Sequence, residues 1–165
     1  MPRLLYSLFI VAFAALVGVG CGLSERERAV SETNDAIEAV EAAGEDVATR
    51  INQLPDGEVD PSALEPLVGA LQTYMERMDA LNAAIRGLGT YYESLAPFLD
   101  ATFRPAAETA ASACQEALDA LGDDESGQEE VRRALTRIGL CLERYATAVT
   151  RVSAEYGRVA GQTQD

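Results

Sequence analysis

From Val30 to Val159 the apolar residues recur at alternating steps of three and four, and no stretch alternates with a period of two. That spacing draws one apolar stripe along a helix, and such a stripe is buried by packing against other helices. A half-buried strand needs every second residue to be apolar, so nothing here predicts a sheet.

Four helices follow from the stripes and from the punctuation between them. The first covers about 24–54, with Val30, Ile37, Gly44 and Ile51 in one row and Thr33, Val40, Val47 and Leu54 in the other. Ser24 and Glu27 form a capping box at its start, each satisfying an exposed amide. Pro55, Asp56 and Gly57 end it, because proline cannot continue a helix. The second helix is expected over about 62–99. Its seam runs Leu64, Leu67, Leu71, Tyr74, Met78, Leu81, Ile85, Leu88, Tyr92, Leu95 and Leu99. Asp60 and Pro61 suit a cap and a first position, whereas Pro66 disfavours a helical Glu65, which predicts an irregular first turn. Extending the register would bury Thr102, Thr109 and Glu116 without partners. The helix is therefore expected to end where Pro97 and Pro105 bracket the chain. Gly87 and Gly89 are weak points inside it, or the mark of a break. A third helix over about 105–121 restarts in a new register, with Ala107, Ala110, Cys114, Ala117 and Leu121 inward. Ser126 and Glu129 read as a second capping box. The fourth helix, about 127–160, carries Val131, Leu135, Ile138, Leu142, Tyr145, Val149, Val152, Tyr156 and Val159.

Short connections between four such helices predict an all-α fold. It is an antiparallel up-down four-helix bundle with coiled-coil-like heptad seams, occupying residues 24–165 after an N-terminal signal or anchor segment. The alternative is a pair of long hairpins that completes its core by dimerising. The narrow seam of the first helix, with Thr33 and Gly44 in it, leans that way. A monomer is expected over a homodimer.

Composition then removes whole classes of function. All 13 basic residues are arginine, against 27 acidic ones, and the formal net charge is −14. Past Gly20 the balance is 12 arginines to 27 acids, a net −15. So negative a domain repels phosphate backbones, and no nucleic-acid partner is expected. The chain has no histidine, which excludes imidazole-based triads, His-ligated zinc or di-iron sites, and haem attachment through C-x-x-C-H.

The N-terminus reads as an address. Arg3 supplies a short cationic start, Leu4 to Val17 is apolar apart from Tyr6 and Ser7, and Gly18-Val19-Gly20-Cys21-Gly22 follows. This resembles the signal and lipobox of bacterial lipoproteins, although Gly18 stands where that family usually has Leu or Val. The resemblance covers residues 1–21 alone. It implies cleavage between Gly20 and Cys21, a covalent lipid on Cys21, and a tether at 21–23. No other cofactor and no metal are expected. Two other readings compete. Leu4 to Leu23 is 20 residues, long enough for an uncleaved membrane anchor. An ordinary signal cut near Ala12-Phe13-Ala14 would instead release a soluble protein. All three readings export the rest of the chain. Gly22, in place of the aspartate that resembles an inner-membrane retention signal, favours the outer membrane and its periplasmic face.

Cys114 and Cys141 are the only thiols past the anchor, and an oxidising compartment favours pairing them. A bridge closing a loop of about 27 residues would stabilise the fold by roughly 3.5 kcal/mol. Simple hairpin geometry opposes it. With a turn between Leu121 and Gln128, Cys114 lies about 10 Å and Cys141 about 20 Å from the turn, whereas bridged Cα atoms lie within ~7 Å. Two buried free thiols are the alternative.

The acidic turns do not read as calcium loops. After Asp56, Glu58 and Asp60, Pro61 sits where an EF-hand needs glycine and Leu67 where it needs a bidentate glutamate. Asp123, Asp124 and Glu125 complement a helix N-terminus. The tyrosines at helical spacing read as core residues with hydroxyls near the surface. Tyr91 differs, and with Phe98 and Phe103 it is a candidate contact patch at one end of the bundle.

Three functions from different classes remain. The expected one is a membrane-anchored structural or adaptor lipoprotein presenting helical surfaces to an envelope protein. A helical carrier or sensor of an apolar ligand is the alternative, opposed by the close approach that an alanine-rich third helix predicts. An enzyme is not expected, because nothing places two acids on an inner face.

Overall fold

The computed structural model describes residues 24–55, 57–123 and 126–162. The expectations for Gly20, Cys21 and the rest of the signal segment, and for Asp56, Asp124 and Glu125, lie outside the described residues.

The described chain is helical and contains no strand. Helix α1 (Glu25–Gln53) and α2 (Pro61–Tyr91) form a first hairpin, and α3 (Arg104–Leu121) and α4 (Gln128–Gln162) a second. Between the hairpins lie a 3-10 turn, Glu93–Leu95, one α-turn, Ala96–Phe98, and a π-helical turn, Leu99–Phe103, that runs straight into α3. The expected up-down four-helix bundle is present. Its directions follow from who touches whom. Val59 meets Gln128, Met78 meets Tyr145 and Tyr92 meets Tyr156, at sequence separations of 69, 67 and 64. A nearly constant difference means that α2 and α4 run parallel. Cys114 meets Cys141 and Glu116 meets Arg137, so the residue numbers keep a nearly constant sum and α3 and α4 run antiparallel.

The helix starts have chemical causes. Ser24 accepts the Glu27 amide, and its own amide donates to the Glu27 carboxylate at 2.7 Å, completing the capping box. Asp60 caps α2 by accepting the Ser62 amide at 2.8 Å. Contrary to the expected irregular turn, the helix passes through Pro66 without a break. The cap of α4 lies one residue later than the sequence predicts. Gly127 supplies the carbonyl for the Val131 amide, and Glu130 rather than Glu129 reaches back to the Gly127 amide at 3.2 Å.

All eleven seam positions expected from Leu64 to Leu99 are buried, but they do not belong to one helix. The helix predicted over 62–99 ends at Tyr91. The chain reverses at Tyr92 (φ −127, ψ 78), several residues before the expected place. Gly89 lets the returning chain come close, since a Cβ there would stand 3.1 Å from a Leu99 methyl. The expected new register is also real, without the expected gap. Pro105 lacks an amide and crowds the carbonyl four residues before it, and the preceding turn widens to π geometry. The extra residue moves Thr102, Thr109 and Glu116 off the inner face and brings Phe103 and Ala107 onto it.

α1 finds its cover within the chain. Val30, Ile37, Val40, Ala43 and Val47 are buried, as is Thr33, whose hydroxyl donates to the Ala29 carbonyl at 2.8 Å. Gly44 leaves room for the Tyr74 ring, which a Cβ would approach to 3.3 Å. The two features that leaned toward a dimer are thus parts of the intrachain packing.

Candidate functional site

Thr33 is the one buried side chain among the described polar and charged residues, tyrosines aside. Every described carboxylate and guanidinium therefore reaches the surface. Glu38, Glu41 and Glu45 lie on the outside of α1, as their spacing implies. Among the described residues no group of three or more potential metal-ligating side chains comes together.

The candidate cysteine pair is brought together. A disulfide joins Cys114 to Cys141, with Cα atoms 5.6 Å apart. The geometric objection fails because the hairpin is lopsided. Cys114 is seven residues before the end of α3 and Cys141 thirteen after the start of α4. α4 therefore begins about 9 Å beyond the end of α3, at 1.5 Å per residue. Two further contacts hold that overshoot. Val59 and the Gln128 side-chain amide exchange hydrogen bonds of 2.9 Å in both directions, pinning the start of α4 beside α2. Glu116 pairs with Arg137 at 3.5 Å, one turn from the bridge.

The tyrosines build the interior of the other half. The Tyr145 hydroxyl lies 3.0 Å from the Met78 carbonyl and 2.8 Å from the Asn82 amide oxygen. Burial holds its pKa well above the usual phenol range. Tyr92 and Tyr156 stack edge to face, ring centres 5.0 Å apart, with hydroxyls 3.0 Å from each other. Burial, and then the bond to Tyr92, raise the Tyr156 pKa in the same direction. The Arg26 guanidinium covers the Tyr92 ring at 4.1 Å, tying the first turn of α1 to this end.

The expected aromatic patch does not hold together. Tyr91 is 42% exposed, Phe98 is half-buried against the core, and Phe103 is buried at 4% exposure. Phe103 instead floors a groove of about 360 Å³ between α3 and α4. Its walls include Ala106, Thr109 and Ala148, and its rim Leu140, Arg144 and Arg151. Leu140 is, with Tyr91, an exposed large apolar side chain among the described residues, at 40%. A second groove of about 440 Å³ lies at the far end, between the start of α2 and the α3–α4 connection. Sequence reasoning missed both. They are lined largely by small and polar residues and arise from the separation of the helices, which no local pattern encodes.

No helix among the described residues is long and apolar enough to cross a membrane. No protein-family model, curated protein or solved structure matches the chain.

Proposed function

We propose that this chain is an exported, lipid-anchored envelope protein that acts as a structural or adaptor part. Signal removal leaves Cys21 as the acylated first residue, and the bundle meets an envelope protein partner through its outer helical faces. The observation that carries the reading is the small-residue stretch ending at Cys21, three residues before the capped start of a bundle whose inner face is already filled. The disulfide supports export, because such bridges persist in oxidising compartments. Gly22 favours the outer membrane. This reading assigns no cofactor beyond the covalent lipid.

Native mass spectrometry of the protein gently extracted from its own membranes tests this reading. A complex with one protein partner at fixed stoichiometry, both retained on a Cys21-acylated chain, is expected. A bare, unlipidated chain would overturn it.

The groove beside Phe103 favours a second reading, a carrier of an apolar ligand with an acidic head. Its floor is apolar, and Arg144 and Arg151 stand two helical turns apart on its rim, outnumbering the one carboxylate there, Glu143. Co-purified lipid beyond the acyl chains, lost in Ala148→Phe, would bring this reading forward.

A further inference from the structure

We propose that the bundle stands end-on at a lipid headgroup surface. It is seated on the end formed by the start of α1, the turn after Tyr91 and the last turns of α4. The proposal rests on the acylation of Cys21, and three observations on the bundle itself carry it.

The first is where the chain leaves the bundle. Arg26 over the Tyr92 ring at 4.1 Å and the 3.0 Å contact between the Tyr92 and Tyr156 hydroxyls gather these three segments at one end. Ser24, the cap of α1, follows Cys21 by three residues, which span at most ~10 Å. A membrane that holds Cys21 therefore holds this end within reach of its headgroups.

The second is charge. Residues 25–31, 86–104 and 152–162 carry five carboxylates and five guanidiniums. At the opposite end, the described residues among 46–65 and 119–133 carry eight carboxylates and three guanidiniums. An anionic leaflet repels the second end more strongly than the first. Screening confines that preference to within about 8 Å of the surface at physiological ionic strength, where the seat is chosen.

The third is Tyr91, 42% exposed on the balanced end. An apolar ring with a polar tip suits the headgroup zone, where tyrosine and tryptophan concentrate. The 35 residues of α4 then carry the acidic tip, with its groove, about 50 Å away from the bilayer.

The absence of tryptophan makes the test clean. Protein expressed with its signal segment and purified from its own membranes is placed in phosphatidylethanolamine–phosphatidylglycerol vesicles containing lipid brominated near the headgroup end of its chains. Three single-tryptophan variants are compared: Tyr91→Trp at the seated end, Leu140→Trp on the flank and Gln53→Trp at the tip. Helicity and flotation with the vesicles are checked for each. If Tyr91→Trp loses helicity, Ser94→Trp, exposed on the same turn, replaces it. The expected result is blue-shifted emission, lost to bromine, in the seated-end variant alone. Quenching in Leu140→Trp would mean a bundle lying on its flank, and quenching in Gln53→Trp an inverted one. Floating protein with no quenching in any variant would mean a bundle held clear of the surface. Each of these overturns the seat and leaves the anchor intact. Protein that does not float overturns the anchor, and the seat with it.

Discussion

The two hairpins share one apolar spacing and are held by different means. In α1–α2 the interface relies on shape and area. α2 buries Leu64, Leu67, Leu71, Leu81 and Leu88 along its seam, and Tyr74 fills the space that Gly44 leaves in α1. In α3–α4 one partner is thin. Apart from Leu121, the buried residues of α3 are Ala107, Ala110, Cys114 and Ala117. Each buried CH₂ contributes about 0.8 kcal/mol, so an alanine face stabilises far less than a leucine face. The disulfide offsets this by restricting the unfolded chain rather than by adding contacts. A bundle can thus join a leucine-rich spine to a helix too small-faced to hold itself.

A charge placed in the core that both hairpins share should have the largest effect. Leu81 has no exposure, so Leu81→Asp strands a carboxylate among apolar side chains and should cost more than about 4 kcal/mol. Loss of the cooperative thermal transition is expected, and an unchanged midpoint would disprove the seam. Next comes the bridge. Reducing Cys114–Cys141 should cost about 3.5 kcal/mol and lower the thermal midpoint by roughly 10 °C. Amide exchange in α3 should then become faster than in α2. Equal midpoints before and after reduction would leave the second hairpin needing no staple.

Alkali should weaken the tyrosine-built part. Tyr145 and Tyr156 have folded pKa values raised by burial, while in the unfolded chain they ionise near pH 10. Their contribution is fully present below about pH 10 and falls as pH rises beyond it, because the unfolded state then binds fewer protons. The slope should approach about 1.4 kcal/mol per pH unit for each tyrosine, measured by urea unfolding from pH 9 to 11. Tyr145→Phe should remove about half of it, leaving the Tyr156 share.

The smallest effects separate two glycines. Gly44→Val overpacks against Tyr74 and should cost about 1–3 kcal/mol. Gly87→Ala meets nothing within 4 Å and should gain up to about 1 kcal/mol from helix propensity. Chemical denaturation of both variants decides whether close fit in α1 matters.

Much of this plan could be read from spacing alone. The seams of α2 and α4 are local patterns, and burial follows them from Leu64 to Leu88 and from Val131 to Val159, with Leu135 half-buried. Phe103 could not be placed by extending a seven-residue register, because the π-helical turn inserts a residue there. The signal was a run of four-residue steps through Leu95, Leu99, Phe103 and Ala107, which marks an insertion. The cysteine pair could be chosen by elimination, but its register could not. The overshoot of α4 goes with contacts such as the Gln128–Val59 bonds, 69 residues apart in sequence. The grooves had no sequence signal at all.

The most direct measurement is the intact mass of the protein taken from its native membranes and alkylated before and after reduction. A chain beginning at an acylated Cys21, with no alkylation before reduction and two added groups afterwards, is the predicted result. A mass that includes residues 1–20, or two alkylated thiols without reduction, would contradict the account.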